Sequence, residues 1–212
     1  MSERFRRLAP LSGVLFVGLV IVAFAALGQS TPGVKKSPDR IANFYAAHSG
    51  RESAAAFVLT IAVVFLVVFG SNLRALLLSA ETERGTAVFV AFGGVLVAAA
   101  GFLVGATIHL ALADGAHKHH LDPVALQALN ALDNNDFLPF AGGLGIMLLG
   151  SAFAILRTGA LNRWLGWVTL LLGILVFTPL GFFAFLATGI WIVVVSILLF
   201  LRQRRALSTA TP

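Results

Sequence analysis

Cysteine is absent from the sequence, and charged residues make up only 11% of its 212 positions. The first absence excludes disulfides, thiolate nucleophiles, cysteine-ligated zinc and iron–sulfur clusters. The second leaves too little polar surface for a disordered chain or a nucleic-acid-binding domain. Hydrophobic residues account for 58% of the chain, and the mean hydropathy is +0.94. The composition therefore predicts an integral membrane protein.

Six apolar segments, each closed by charged or turn residues, predict an all-α fold: a polytopic membrane helix bundle that forms a single domain over 1–212. The segments lie at about 10–28, 54–77, 86–113, 137–156, 164–178 and 182–201. Because they are continuously apolar and lack the alternation typical of a barrel strand, they predict six transmembrane helices. The fifth is the shortest, and a turn at 178–181 joins it to the sixth.

Two connections between the spans contain the signals of short amphipathic helices. The first begins at Ser37-Pro38 and has apolar residues on one face up to His48. The second begins at Asp122-Pro123 and has apolar residues up to Leu132. We expect both helices to lie on the outer membrane surface or to cap the bundle, with a ligand-gating lid as the alternative.

Lysine and arginine are distributed unequally between the connecting segments. Ten lie on one side, namely Arg4, Arg6, Arg7, Arg74, Arg84, Arg157, Arg163, Arg202, Arg204 and Arg205. Five lie on the other side, namely Lys35, Lys36, Arg40, Arg51 and Lys118. Because the more basic side stays in the cytoplasm, both termini are predicted to be cytoplasmic. The first segment also has features of a secretory signal with a cleavage site at 26–28, and its removal would leave five spans.

Small residues recur on one helix face of the third segment. This small-residue stripe consists of Gly94, Ala98, Gly101 and Gly105. Small side chains allow a neighbouring helix to approach closely, and the glycines at 142–145 have the same interpretation. We expect internal packing, with dimerisation as the alternative. Phe102 lies off the stripe, so we expect Phe102→Leu to be tolerated.

Histidines and carboxylates follow the stripe. His109 lies one turn beyond Gly105, so its side chain is expected to point into the bundle, where an ionisable group is costly. Asp114, His117 and His120 come next, and imidazole with carboxylate is suited to zinc, copper or nickel. This pattern predicts a divalent metal site formed by His109, Asp114, His117 and His120. The alternatives are a solvated polar loop and a neutral His109 bonded to a threonine or a backbone carbonyl.

The polar segment Asp133-Asn134-Asn135-Asp136 precedes the fourth span. Its side chains are suited to orient a polar head group or a cation. Asp136 is also well placed to cap the helix that starts at Phe137, and capping is the preferred interpretation.

The function that the residues favour is a non-enzymatic accessory bundle that binds a ligand or lipid. The central parts of the six segments contain no Asp, Glu, Lys or Arg, and no GxSxG or HExxH motif is present. No catalytic or cofactor-binding residue is therefore assigned. The alternatives are an outer-face metal-binding protein or metalloenzyme and a facilitative permease. Expected partners are membrane lipids and either a membrane protein or a second copy of the chain, but no nucleic acid.

The segment 156–167, with the Pro-Gly turn and the closing span that contains Trp191, resembles the C-terminal half of uncharacterised actinobacterial membrane proteins. The first outer loop, from Ile41 to Ala55, and the segment 121–137 are also similar to these proteins. They resemble a wider six-helix bacterial family known as a domain of unknown function. The resemblance implies a six-helix fold in the bacterial cytoplasmic membrane and assigns no catalytic residue.

Overall fold

The structure, a computed structural model, describes residues 8–28, 31–81, 85–117 and 120–209. Within these ranges the chain forms helices and turns. The α-helices are α1 (Ser12–Ile21), α2 (Pro38–Ser79), α3 (Thr86–Ala116), α4 (Pro123–Asp133), α5 (Phe137–Thr158), α6 (Arg163–Leu175) and α7 (Gly181–Thr209). A 3-10 turn at Ala9–Leu11 precedes α1, and a π-helical turn at Val22–Leu27 follows it.

In the part of the chain that the structure describes, five helical segments are long and apolar enough to cross a membrane. They are Ala9–Leu27, Pro38–Ser79, Thr86–Ala116, Pro123–Thr158 and Gly181–Arg205. The fifth predicted span, 164–178, corresponds to α6, which has only 13 residues. A helix of that length is about 20 Å long, shorter than the roughly 30 Å hydrocarbon core of a bilayer. The described residues therefore confirm a helical bundle of membrane type, with five long apolar helical segments and the shorter apolar helix α6.

The long helix α2 corrects the prediction of a separate short helix at 38–48. The chain continues as one helix of 42 residues from Pro38 to Ser79, about 63 Å at the usual rise per residue. The polar residues at 48–53 indicated a connection, yet they are helical. The side chain of Glu52 is fully buried against α3, so this polar stretch is stabilised by tertiary contacts.

The short helix α4 packs across the ends of α2 and α3. Asp122 caps it by accepting a hydrogen bond from the backbone N–H of Val124. Leu126 is buried in a small apolar cluster with residues of α2 and α3, including Ile41 and Leu112. We call the end of the bundle that α4 covers the α4 end.

The small-residue stripe of α3 packs against α5. A Cβ atom added at Gly94 or Gly101 would lie within 3.0 Å of α5 backbone, and one added at Gly143 would lie as close to α3 backbone. The prediction of internal packing is thus confirmed. Phe102, in contrast, is buried and stacks on Phe140 with ring centroids 4.6 Å apart. The tolerance of Phe102→Leu stays a prediction, and this burial and stacking argue against it, because helical periodicity alone does not show that a second face is also covered.

Opposite the α4 end, an ion pair joins the ends of α2 and α5. Glu81 Oε1 lies 3.6 Å from Arg157 Nη2. Near the same end, Arg202 of α7 donates to the carbonyl oxygen of Ala160. Of the basic residues used to predict orientation, Arg4, Arg6, Arg7, Arg84 and Lys118 lie outside the described residues.

Candidate functional site

Three ionisable side chains from three helices meet at the α4 end. His109 of α3 lies between Glu52 of α2 and Asp133, the last residue of α4. Its Nε2 is 2.5 Å from Glu52 Oε2, and its Nδ1 is 3.2 Å from Asp133 Oδ1. The exposed fractions of these side chains are 19% for His109, 0% for Glu52 and 9% for Asp133. With both ring nitrogens protonated, His109 donates one hydrogen bond to each carboxylate.

A second set of hydrogen bonds holds Asp133 in place. The Tyr45 hydroxyl lies 3.2 Å from Asn130 Oδ1 and 3.3 Å from Asp133 Oδ2 and donates its proton between them. The amide of Asn130 donates to the carbonyl oxygen of Pro32 at 2.9 Å. The segment that precedes α2 is therefore tied to α4, and both oxygens of Asp133 have partners.

A cavity of about 290 Å³ lies beside this cluster, bounded by the end of the first helical segment and by α2, α3 and α5. His109, Asp133, Asn134 and Asp136 are the polar residues in the part of its wall nearest α4. The apolar wall consists of Ala23, Phe24, Ala55, Ala56, Leu59, Phe102, Ala106, Phe137 and Phe140. Gly28, Thr31 and Gly105 complete the lining.

The cavity has a polar end and an apolar end. Phe102 lies seven residues from His109, which is about 10 Å along α3. On α5, Phe140 lies about one turn from Asp136 and stacks on Phe102. Polar side chains thus line the cavity at the α4 end, and aromatic rings line it deeper in the bundle.

Asp136 corrects the capping prediction. It stands at the N-cap position of α5, but its side chain makes no capping hydrogen bond. Its backbone is already helical, with φ of −71° and ψ of −6°, whereas a capping residue needs extended dihedral angles to turn its oxygen back to the helix. The carboxylate instead lies beside Gly105, where an added Cβ would be 2.5 Å from Asp136 Oδ2.

The residues predicted to bind a metal are placed as follows. His109 points inward as expected, but each of its nitrogens faces a carboxylate on a different side of the ring. Asp114 and His120 are exposed, and His117 Nδ1 lies 3.4 Å from Ser49 Oγ. Among the residues that the structure describes, no three His, Asp or Glu side chains are grouped to hold a metal ion. The metal site stays a prediction.

Sequence reasoning did not assign Glu52, Tyr45 or Asn130 to a site. One signal was present for two of them, because Tyr45 and Glu52 are seven residues apart and therefore share a face if α2 is continuous. Asn130 carried no comparable signal, since its partners Tyr45 and Pro32 are distant in sequence.

Comparisons with known proteins give no match: no family model, no curated protein and no solved structure matches the chain.

Proposed function

We propose that this membrane protein is a binding bundle that takes a small amphipathic molecule into the cavity at its α4 end. The observation that supports the proposal is the cavity itself, whose wall changes from ionisable side chains to stacked aromatic rings along its length. Ligand sites in proteins are concave and mostly apolar, with a few polar groups that fix orientation. The polar part of the ligand faces Asp136 and Asn134, and its apolar part lies against Phe102 and Phe140.

Two observations favour binding over the alternatives. Both nitrogens of His109 are engaged by carboxylates, so a metal would have to displace one of these contacts. A facilitative permease would need the cavity to continue past the stacked rings of Phe102 and Phe140. A binding site requires neither change.

Photo-crosslinking tests this proposal. Dodecanol, dodecanoate and dodecylammonium, each with a diazirine in the chain, are added to the protein in phosphatidylcholine nanodiscs. We expect at least one probe to label peptides from 102–109 and 136–140 and to be displaced by its unlabelled parent. Thr31→Trp should reduce the labelling, because Thr31 lines the cavity and a large ring there fills it.

Val34→Trp is the matched control. Val34 lies in the same segment as Thr31 but is 47% exposed and does not line the cavity. Its replacement should leave the labelling unchanged. If no probe labels the cavity peptides above the Thr31→Trp background, the proposed function is wrong.

We further propose that the protein lies in the bacterial cytoplasmic membrane with both termini in the cytoplasm, and that α6 and α7 together return the chain to that side. The supporting observation is the twofold excess of Lys and Arg on one side of the predicted spans. A phosphatase fused after His120 should be active, and one fused after Arg205 inactive. An active fusion at both positions would mean that only the five long helices cross.

A further inference from the structure

We infer that the molecule bound in this cavity is an alkylammonium amphiphile, whose positively charged nitrogen lies against Asp136 and whose chain lies along Phe102 and Phe140. The inference rests on the proposed function and names the class of ligand. It is carried by the charges of the cavity wall, the position of Asp136 and the apolar deep end.

The charges around the cavity do not balance. Among the described residues that line the cavity, Asp133 and Asp136 are carboxylates, and His109 is the one side chain that can carry a positive charge. Of the described residues, no lysine or arginine lines the cavity. A carboxylate removed from water is costly unless it is paired, so this end of the cavity favours a cation.

Among the described residues, the Asp136 carboxylate has no hydrogen-bond or ion-pair partner. Glu52 bonds to His109, and Asp133 bonds to His109 and Tyr45 through its two oxygens. Asp136 forms no cap and lies in the cavity wall, with its Oδ2 in the space that a side chain at position 105 would occupy. An ammonium group placed there donates a charge-assisted hydrogen bond to Asp136.

The cation is organic and not a metal ion. A divalent metal takes several oxygen or nitrogen ligands, and the part of the wall around Asp136 offers only one carboxylate that is not already bonded. Most of the remaining wall is apolar, from Leu59 to the two stacked rings. This surface excludes a small hydrated ion and suits a hydrocarbon chain.

The three photo-crosslinking probes distinguish this inference from the proposed function. They share a chain length and differ in the charge of the head group. We expect dodecylammonium to label the cavity peptides with roughly tenfold higher affinity than dodecanol, and dodecanoate to bind most weakly, because one charge-assisted hydrogen bond is of this order. The labelling of each probe is corrected by subtracting its labelling of Thr31→Trp. Phosphatidylcholine is zwitterionic, so the nanodisc surface has no net charge that would concentrate the charged probes.

Asp136→Asn removes the charge with little change in shape. It should reduce the preference for dodecylammonium over dodecanol to about twofold or less while dodecanol still binds. Asp39→Asn, which alters an exposed carboxylate in the first turn of α2, should leave the preference unchanged.

The outcomes are separable. If all three probes label the cavity peptides of the wild-type protein equally, the ammonium inference is overturned and the proposed function stands. A preference for dodecylammonium that persists in Asp136→Asn would place the charge recognition elsewhere and overturn the role of Asp136. If that variant fails to fold, the wild-type ranking alone decides whether the ligand is a cation.

Discussion

Replacement of Gly94 or Gly143 by alanine should destabilise the bundle, whereas the same replacement at the adjacent Gly93 or Gly142 should not. A Cβ at Gly94 would meet the backbone of Met147, and one at Gly143 would meet the backbone of Ala98. Nothing lies within 4 Å of a Cβ added at Gly93 or Gly142. Each pair therefore differs in tertiary contact while the residue type and helix are the same.

The expected loss of stability depends on which atoms must move to make room for the new methyl group. The atoms that a new methyl group would meet belong to backbone, which cannot rotate away as a flexible side chain can, so α3 and α5 have to separate. Overpacking costs about 1–3 kcal/mol, and we expect the upper part of this range for Gly94→Ala and Gly143→Ala. Alanine has a higher helix propensity than glycine by up to about 1 kcal/mol, so Gly93→Ala and Gly142→Ala should be neutral or slightly stabilising.

Thermal unfolding in detergent and in lipid, followed by circular dichroism, measures the difference. The melting temperature should fall for Gly94→Ala and Gly143→Ala and should hold or rise for their neighbours. Equal melting temperatures within each pair would mean that α3 and α5 are not in backbone contact at the stripe.

The stripe was predictable because its signal lies within one helix. Residues at steps of three and four share a helix face, so Gly94 and Gly101 identify the packing face without knowledge of the partner helix. The inward direction of His109 follows from the same periodicity. The identity of the partner, α5, depends on how the chain folds back.

The ionisable cluster was not predictable in the same way. His109 is 57 residues from Glu52 and 24 from Asp133, and periodicity within one helix says nothing about such pairs. The polar stretch around Glu52 suggested a break after His48, since charged residues within a span are costly when unpaired. The pairing with His109 compensates that cost, which is why α2 continues through it.

The length of α6 could not be predicted from the sequence, for a different reason. Its apolar composition predicts a transmembrane helix at 164–178, but the helix ends at Leu175, before the turn at 178–181. Hydropathy measures how apolar a segment is, and it does not fix where the helix ends. Trp191 of α7 donates a hydrogen bond to Thr169 of α6 at 2.7 Å, a contact that ties α6 to the bundle independently of its length.

Loss of the Glu52 carboxylate should destabilise the protein strongly. Glu52 is fully buried and bonded to His109, so Glu52→Leu leaves the imidazole without one of its two carboxylate partners. Breaking a buried ion pair by removing one partner typically costs about 3–5 kcal/mol. An exposed carboxylate on α3 provides the control, since Asp114→Asn should change the free energy of unfolding by no more than about 0.5 kcal/mol.

The double variant Glu52→Leu/His109→Leu separates pairing from general disruption. Once both partners are apolar, neither member of the Glu52–His109 pair is left as an unmatched charge. Asp133 loses its imidazole partner in the single His109 variant and in the double variant alike. The double variant should therefore be less destabilised than the sum of the two single variants by about 1–3 kcal/mol. Unfolding in a dodecyl sulfate titration provides these free energies for all variants on one scale. If the losses in the free energy of unfolding are strictly additive, the two residues stabilise the fold independently. The inward position of His109 would then be determined by the small-residue stripe and Asp133 alone.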